Sequence, residues 1–208
     1  MDQSVKDAIA RWPDVPAAHG WLSLDARGRW RFHPQGLSAQ GGPGESITNP
    51  QILDFIGRNY AHDDAGRWFF QNGPQRVYLR LDAAPYVLRL DDAGRALLTH
   101  TNQPVTAVSA WWLDDAGSLY AVTPAGPGIV LDRDLPALLD QLRAQDGAMP
   151  LDALAELTPG QPPLMVECAA YGRAPLRMAA RADLPRILGF EPAAPVAATA
   201  HSPGDTPK

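Results

Sequence analysis

One run of side chains in the middle of the chain could hold a small polar or anionic ligand. Gln71, Asn72, Gln75 and Arg76 crowd around the Asn72-Gly73 turn, and Arg58, Asn59, Tyr78, Arg80 and Arg89 flank it in sequence. A guanidinium grips a carboxylate or phosphate through two parallel N–H bonds. The amides and the phenol add donors and acceptors without adding charge. The competing reading is structural. In it, Arg76 pairs with Asp91 across a hairpin and the amides satisfy loop backbone groups.

Acid–base chemistry is the alternative. His19, His33, His62, His100 and His201 form no i, i+4 pair and no His-Glu-x-x-His motif. An enzyme with sequence-dispersed acid and base groups would draw on His62, His100 and Glu167. Cys168 lies in a strand-like run, Val166-Glu167-Cys168, without the context of a nucleophile, and reads as a small buried hydrophobe. No Gly-x-Ser-x-Gly, phosphate-binding loop or dinucleotide fingerprint occurs. The Asp/Gly turns at Asp25–Gly28, Asp63–Gly66, Asp91–Gly94 and Asp114–Gly117 lack the ligand spacing of a calcium loop and read as hairpin turns. The residues therefore point to a binding protein with no catalytic group, no metal and no cofactor. Its partner is a small polar or anionic ligand or another protein. A purely structural assembly subunit is a third possibility, which an exposed apolar patch would favour.

The elements around this cluster read clearly. Asn49 before Pro50 is a helix start, with Asn as the cap and Pro at the first helical position. Ile52, Phe55, Ile56 and Tyr60 form its apolar stripe. Val77, Leu79 and Leu81 alternate with Arg76, Tyr78 and Arg80, and Tyr86, Leu88 and Leu90 alternate likewise. Period two marks strands with one buried face. Joined through Asp82–Pro85, the two runs would form a hairpin with Leu81 opposite Tyr86 and Leu79 opposite Leu88. Trp68, Phe69 and Tyr86 belong in or beside the core.

Composition sets the outer limits. A net charge of −5 over 208 residues argues against a general nucleic-acid or anionic-membrane binder. The single cysteine excludes an internal disulfide. The first residues show no secretory pattern, and no apolar run approaches the ~18–20 residues of a membrane-spanning helix. A cytoplasmic protein is expected.

Along the chain, residues 2–12 suggest a helix, and Trp21–Leu24 with Trp30–Phe32 a hairpin. Ala96–Thr101, Val105–Leu113 and Ser118–Val122 read as strands, and Asp132–Arg143 as a helix capped by Asp132 or Asp134. Leu151–Leu157 reads as a shorter helix, Leu164–Cys168 and Pro175–Met178 as strands, and Asp183–Leu188 as a last helix closed by Gly189. The Trp21-to-Trp30 outline recurs at Trp112–Leu119, each followed by a Pro-initiated helix. The expected fold class is α+β, in two similar units of antiparallel β-hairpins plus a short helix, with mostly antiparallel sheets. The units span 20–103 and 104–190. An N-terminal helix and extension over 1–19 precede them, and a disordered Pro/Ala-rich tail over 191–208 follows.

Trp21-Leu22-Ser23-Leu24-Asp25, then Gly28-Arg29-Trp30, Arg58-Asn59-Tyr60 and Gly66 through Tyr78 resemble an uncharacterised proteobacterial family of unknown function. The resemblance covers Gly20 to about Leu90. Asp82 to Val87 is similar, more distantly, to the bacterial family called domain of unknown function 1285. That resemblance implies an α+β fold with repeated motifs and a possible role in signalling, and it supplies no catalytic residue. The loop Ser38–Glu45 is longer than the distant family's link.

Overall fold

The structure is a computed structural model that describes residues 1–144, 154 and 156–194. The chain builds two mixed sheets. The first holds β1 (Ala18–Leu24), β2 (Trp30–Phe32), β3 (Glu45–Ser46), β4 (Tyr60–His62), β5 (Trp68–Asn72) and β6 (Gln75–Leu81), in the order β3-β2-β1-β6-β5-β4. The second holds β7 (Tyr86–Leu90), β8 (Leu97–Thr99), β9 (Ala110–Asp114), β10 (Leu119–Thr123), β11 (Gly126–Val130), β12 (Leu142–Ala144), β13 (Leu164–Cys168) and β14 (Gly172–Ala179). Its order is β12-β13-β14-β9-β10-β11-β7-β8. The helices are α1 (Gln3–Arg11), α2 (Pro50–Arg58), α3 (Leu135–Leu139) and α4 (Leu184–Leu188). The fold is α+β.

Local neighbours pair antiparallel, as alternation and turn chemistry require. Three long-range pairs are parallel: β1 with β6, β7 with β11, and β9 with β14. The sheets are thus mixed, which side-chain alternation cannot show because period two carries no direction. The expected hairpin between the Val77 and Tyr86 strands does not form. Val77 lies opposite Phe70 and Leu79 opposite Leu22 in the first sheet, whereas Tyr86 lies opposite Gly128 in the second. Asp82 donates its N–H to Leu24 O, and the chain passes between sheets at that point. Alternation fixed which side chains are inside, and Val77, Leu79 and Leu81 are all buried. It could not choose the partner strand. Arg76 accordingly has no pair with Asp91, whose carboxylate accepts the backbone N–H groups of Arg95 and Ala96.

The turn and cap readings hold in detail. Asn49 Oδ1 accepts from Gln51 N and Ile52 N at 2.9 and 3.3 Å. At Asp25, Asp63 and Asp114, Oδ1 accepts the N–H groups two and four residues on. Three details differ. Ile52 is exposed and Tyr60 lies past the helix end in β4, so the buried face of α2 centres on Ile56. Asp134 does not cap α3, because its Oδ2 accepts from Leu90 N at 3.0 Å. That helix ends at Leu139, and Leu142 enters β12, in register with Cys168. The expected helix at Leu151–Leu157 and the tail beyond Ala194 fall largely outside the described residues. Glu191 and Ala193, at the start of that tail, bridge to Arg67 and Arg80.

Aromatic rings join the two sheets. Tyr60 packs against Trp30 at 5.2 Å, Trp68 at 4.8 Å and Tyr86 at 5.6 Å, and His100 lies 5.5 Å from Trp30. The Tyr60 hydroxyl donates to Pro85 O at 2.8 Å, on the segment that crosses between sheets. Trp68, Phe69 and Tyr86 are buried.

Candidate ligand-binding cleft

Beside this aromatic junction opens a cleft of about 500 Å³. Three parts of the chain line it. The β1–β2 turn supplies Arg29 and Trp30, α2 supplies Leu53, Asp54 and Arg58, and the segment after β8 supplies His100 to Gln103. Two glycines let these parts approach. A Cβ at Gly28 would meet His100 Cβ at 2.8 Å, and one at Gly57 would meet Thr101 Cβ at 3.3 Å.

The segment after β8 is unusual. Asn102 has φ 61°, and it is the one non-glycine residue with positive φ among the described residues. Asn102 takes the left-handed place that Gly28 holds in the Asp25–Gly28 turn, with the same backbone bonds, and asparagine adopts that conformation readily. A closed set of bonds holds it: Asn102 N to Thr99 O, Gln103 N to Thr99 Oγ1, and Arg89 Nη2 to Asn102 Oδ1 at 2.8 Å. His100 Nδ1 accepts the Val87 N–H, so the proton of the neutral ring sits on Nε2. That N–H has no hydrogen-bond partner and lies among the rings of Trp30, Tyr60 and Tyr86. Burial pushes the imidazole pKa down to about 3.

The charged rim is preorganised. Arg29 Nε donates to Asp25 Oδ2 at 2.8 Å, and Arg58 Nε donates to Asp2 Oδ1 at 3.1 Å. Asn59, buried beneath, accepts Asp2 N–H on Oδ1 at 2.8 Å and donates Nδ2 to Phe55 O. The Arg58 guanidinium holds the Asp2 carboxyl below the usual carboxylate range.

The sequence cluster is only partly gathered here. Arg58 lines the cleft, Asn59 supports it, and Arg89 reaches it through Asn102. Gln71 is buried and donates to Gly73 O, closing its own turn. Asn72 and Gln75 face a different hollow beside the stacked, exposed Trp21 and Phe32, and Gln75 donates to Pro16 O. Arg76 lies over the Phe69 ring at 4.7 Å. The Tyr78 hydroxyl donates to Asp63 Oδ2 at 3.0 Å. Arg80 donates to Asp82, Ser38 O and Gly42 O, and so pins the 38–44 loop.

The dispersed acid–base set does not converge. His62 Nδ1 contacts Asp63 O, His100 lies at the aromatic junction, and Glu167 lines a separate cleft with Arg95, Arg143 and Arg173. Sequence reasoning missed Arg29, Trp30, Asn102 and Gln103, none of which carries a motif. It also missed the buried Ser23–His33 hydrogen bond at 2.8 Å, whose partners come from separate elements. Among the described residues no His, Cys, Asp or Glu cluster could hold a metal ion, and no helix is long and apolar enough to cross a membrane.

An α+β protein of two mixed sheets with a polar cleft at their junction is thus defined. Residues 1–195 match the family DUF2944, described as "Protein of unknown function (DUF2946)", and the chain belongs to that family. Two crystal structures of DUF1285 family proteins are similar to it. One, from Silicibacter pomeroyi DSS-3, is 16% identical, with a TM-score of 0.49, and the match covers 71% of this chain and 90% of that one. The other, from Shewanella baltica OS155, is also 16% identical, with a TM-score of 0.38, and the match covers 55% and 86%. No curated protein matches the chain.

Proposed function

We propose that this protein binds a small polar or anionic ligand in the cleft between α2 and the β8–β9 connection, without chemistry of its own. One observation carries the reading. Arg29, Arg58 and the His100–Gln103 turn reach a single 500 Å³ cleft from three separate parts of the chain. A purely structural junction does not require two half-exposed guanidinium groups at the mouth of one cleft. The acid–base groups of the rival enzymatic reading stand apart, which favours binding over catalysis.

The two halves also follow one strand plan. Three strands, a helix and three more strands occur twice, and in each half the last strand returns parallel to the first. This supports reading the chain as two copies of one unit, with the ligand cleft elaborated on the first. Binding without catalysis, in the cytoplasm, suits a signalling role.

The test is a mixed library of neutral, cationic and anionic metabolites, followed by backbone amide shifts. Responses confined to Gly28, Gly57 and Thr101–Gln103 support the cleft. Responses elsewhere, or none, remove it.

A further inference from the structure

We infer that the α2 cleft takes a small organic carboxylate, and that Asp2 is the internal carboxylate such a ligand displaces from Arg58. This rests on the reading of the cleft as the binding site.

The two rim cations are built alike. Each is tied through Nε, Arg29 to Asp25 and Arg58 to Asp2, and among the described residues neither has a partner on its terminal nitrogens. Their side chains are 55% and 57% exposed. At Arg29 the bond to Asp25 fixes the plane and leaves the terminal N–H pair open, whereas at Arg58 Asp2 sits on Nε, so a carboxylate that grips the side-on face of Nε and one terminal N–H must displace it. Asp54 lines the cleft with them, and Asp25 and Asp2 already offset the two cations, so a ligand carboxylate is drawn by the open N–H groups of the guanidiniums and by the place that Asp2 vacates on Arg58.

Inside the rim the lining turns apolar. Trp30, Ile47, Pro50 and Leu53 supply it. A charged mouth over an apolar floor suits a ligand with one charged end and a carbon body. Inorganic phosphate satisfies the mouth and leaves the floor wet.

A carboxylate already sits on Arg58. Asp2 Oδ1 and Oδ2 lie 3.1 and 3.3 Å from Arg58 Nε, and Asn59 Nδ2 donates to Oδ2 at 3.3 Å. Such an exposed pair is worth little in water, so exchange for a ligand carboxylate costs little. The α1 segment stays anchored meanwhile, because Val5 is buried and the Asp2 N–H is held by Asn59 Oδ1.

The experiment titrates the full chain with benzoate, its neutral isostere benzamide and inorganic phosphate. It follows the amides of Gly28, Gly57 and Asn102. Benzoate is expected to move them, with benzamide about tenfold weaker and phosphate leaving Gly28 and Asn102 in place. Asp2→Asn is expected to tighten benzoate binding about threefold or more, and Arg58→Gln to weaken it about tenfold. Equal benzoate and benzamide midpoints overturn the carboxylate assignment, as does a phosphate response matching that of benzoate. Unchanged or weaker benzoate binding in Asp2→Asn overturns the displacement. If neither aromatic probe moves these amides but a library compound does, this inference fails alone. If the library is silent there as well, the cleft itself is lost. The wild-type comparison of benzoate with benzamide decides the ligand class even if a variant fails to fold.

Discussion

His100 Nδ1 accepts the backbone N–H of Val87 at 3.3 Å, which fixes a neutral imidazole among the rings that join the two sheets. Burial lowers its pKa from 6.5 to about 3. Between these values the unfolded chain binds the proton and the folded chain does not. Stability from this group is therefore complete above the unfolded pKa and declines as pH falls below it. Asp63 adds a second decline lower down. Arg67 and Tyr78 hold its pKa at about 2 against 3.8, so its contribution is lost as pH falls through that interval. Unfolding free energies from urea titrations between about pH 8 and pH 4 should drop on the acid side by on the order of 2–3 kcal/mol at about pH 4.5. His100→Asn, which keeps an acceptor near Val87, should flatten the upper part of that slope. An unchanged slope in the variant would place the titration elsewhere.

Much of the local structure was legible in the sequence, and the long-range structure was not, for one physical reason. Asn49, Pro50 and the Asp/Gly turns act through bonds within four residues, so their chemistry is written in adjacent letters. Val77, Leu79 and Leu81 declare a buried face through period two. The same period is satisfied by any neighbour with an apolar face, so it could not tell β1 and β5 from β7. The site suffered likewise. Arg58 and Arg89 were visible as cations near the turn, but the cleft depends on Asn102 and Gly57, whose roles exist only after the sheets pack. Arg76 and Gln71 looked functional because they stood close in sequence, and the strands carried them to the face of the buried Phe69 ring and to a turn.

Trp68 tests that packing. Its indole fills the space beside β11, where a Cβ at Gly126 would meet the ring at 3.0 and 3.1 Å. Trp68→Ala should cost on the order of 3–5 kcal/mol, since the ring is buried and its neighbours are locked in two sheets. Gly126→Ala should cost about 1–3 kcal/mol by overpacking, compounded by a φ of 135°. Part of the glycine penalty should vanish in a Trp68→Leu background, giving a measurable coupling in a double-mutant cycle. Strict additivity would separate the two residues.

Asn49 should matter to α2, and through it to the rim of the cleft. Its Oδ1 satisfies two backbone donors at the helix start. Asn49→Ala should cost about 1 kcal/mol, read from the urea midpoint, whereas Asn49→Asp should be nearly neutral. Equal losses in both variants would mean that the side chain acts through something other than the cap.

Arg80 separates a loop anchor from a ligand contact. Its guanidinium donates to Ser38 O, to Gly42 O at 3.3 Å and to Asp82 at 2.8 Å, with the side chain only 13% exposed. All of these partners lie on the 38–44 loop or on its own strand end, and none lines the α2 cleft. Arg80→Ala leaves the carbonyl of buried Ser38 without its charged donor, which costs about 1.5–3 kcal/mol. Hydrogen exchange should rise across residues 38–44, while Gly57 and Asn102 keep their protection. Arg80→Lys should restore only part of it, because one ammonium cannot reproduce the planar fork that spans two carbonyls and a carboxylate. A ligand response in the α2 cleft that is intact in Arg80→Ala completes the assignment, and one that disappears with the loop still protected would make Arg80 part of the site.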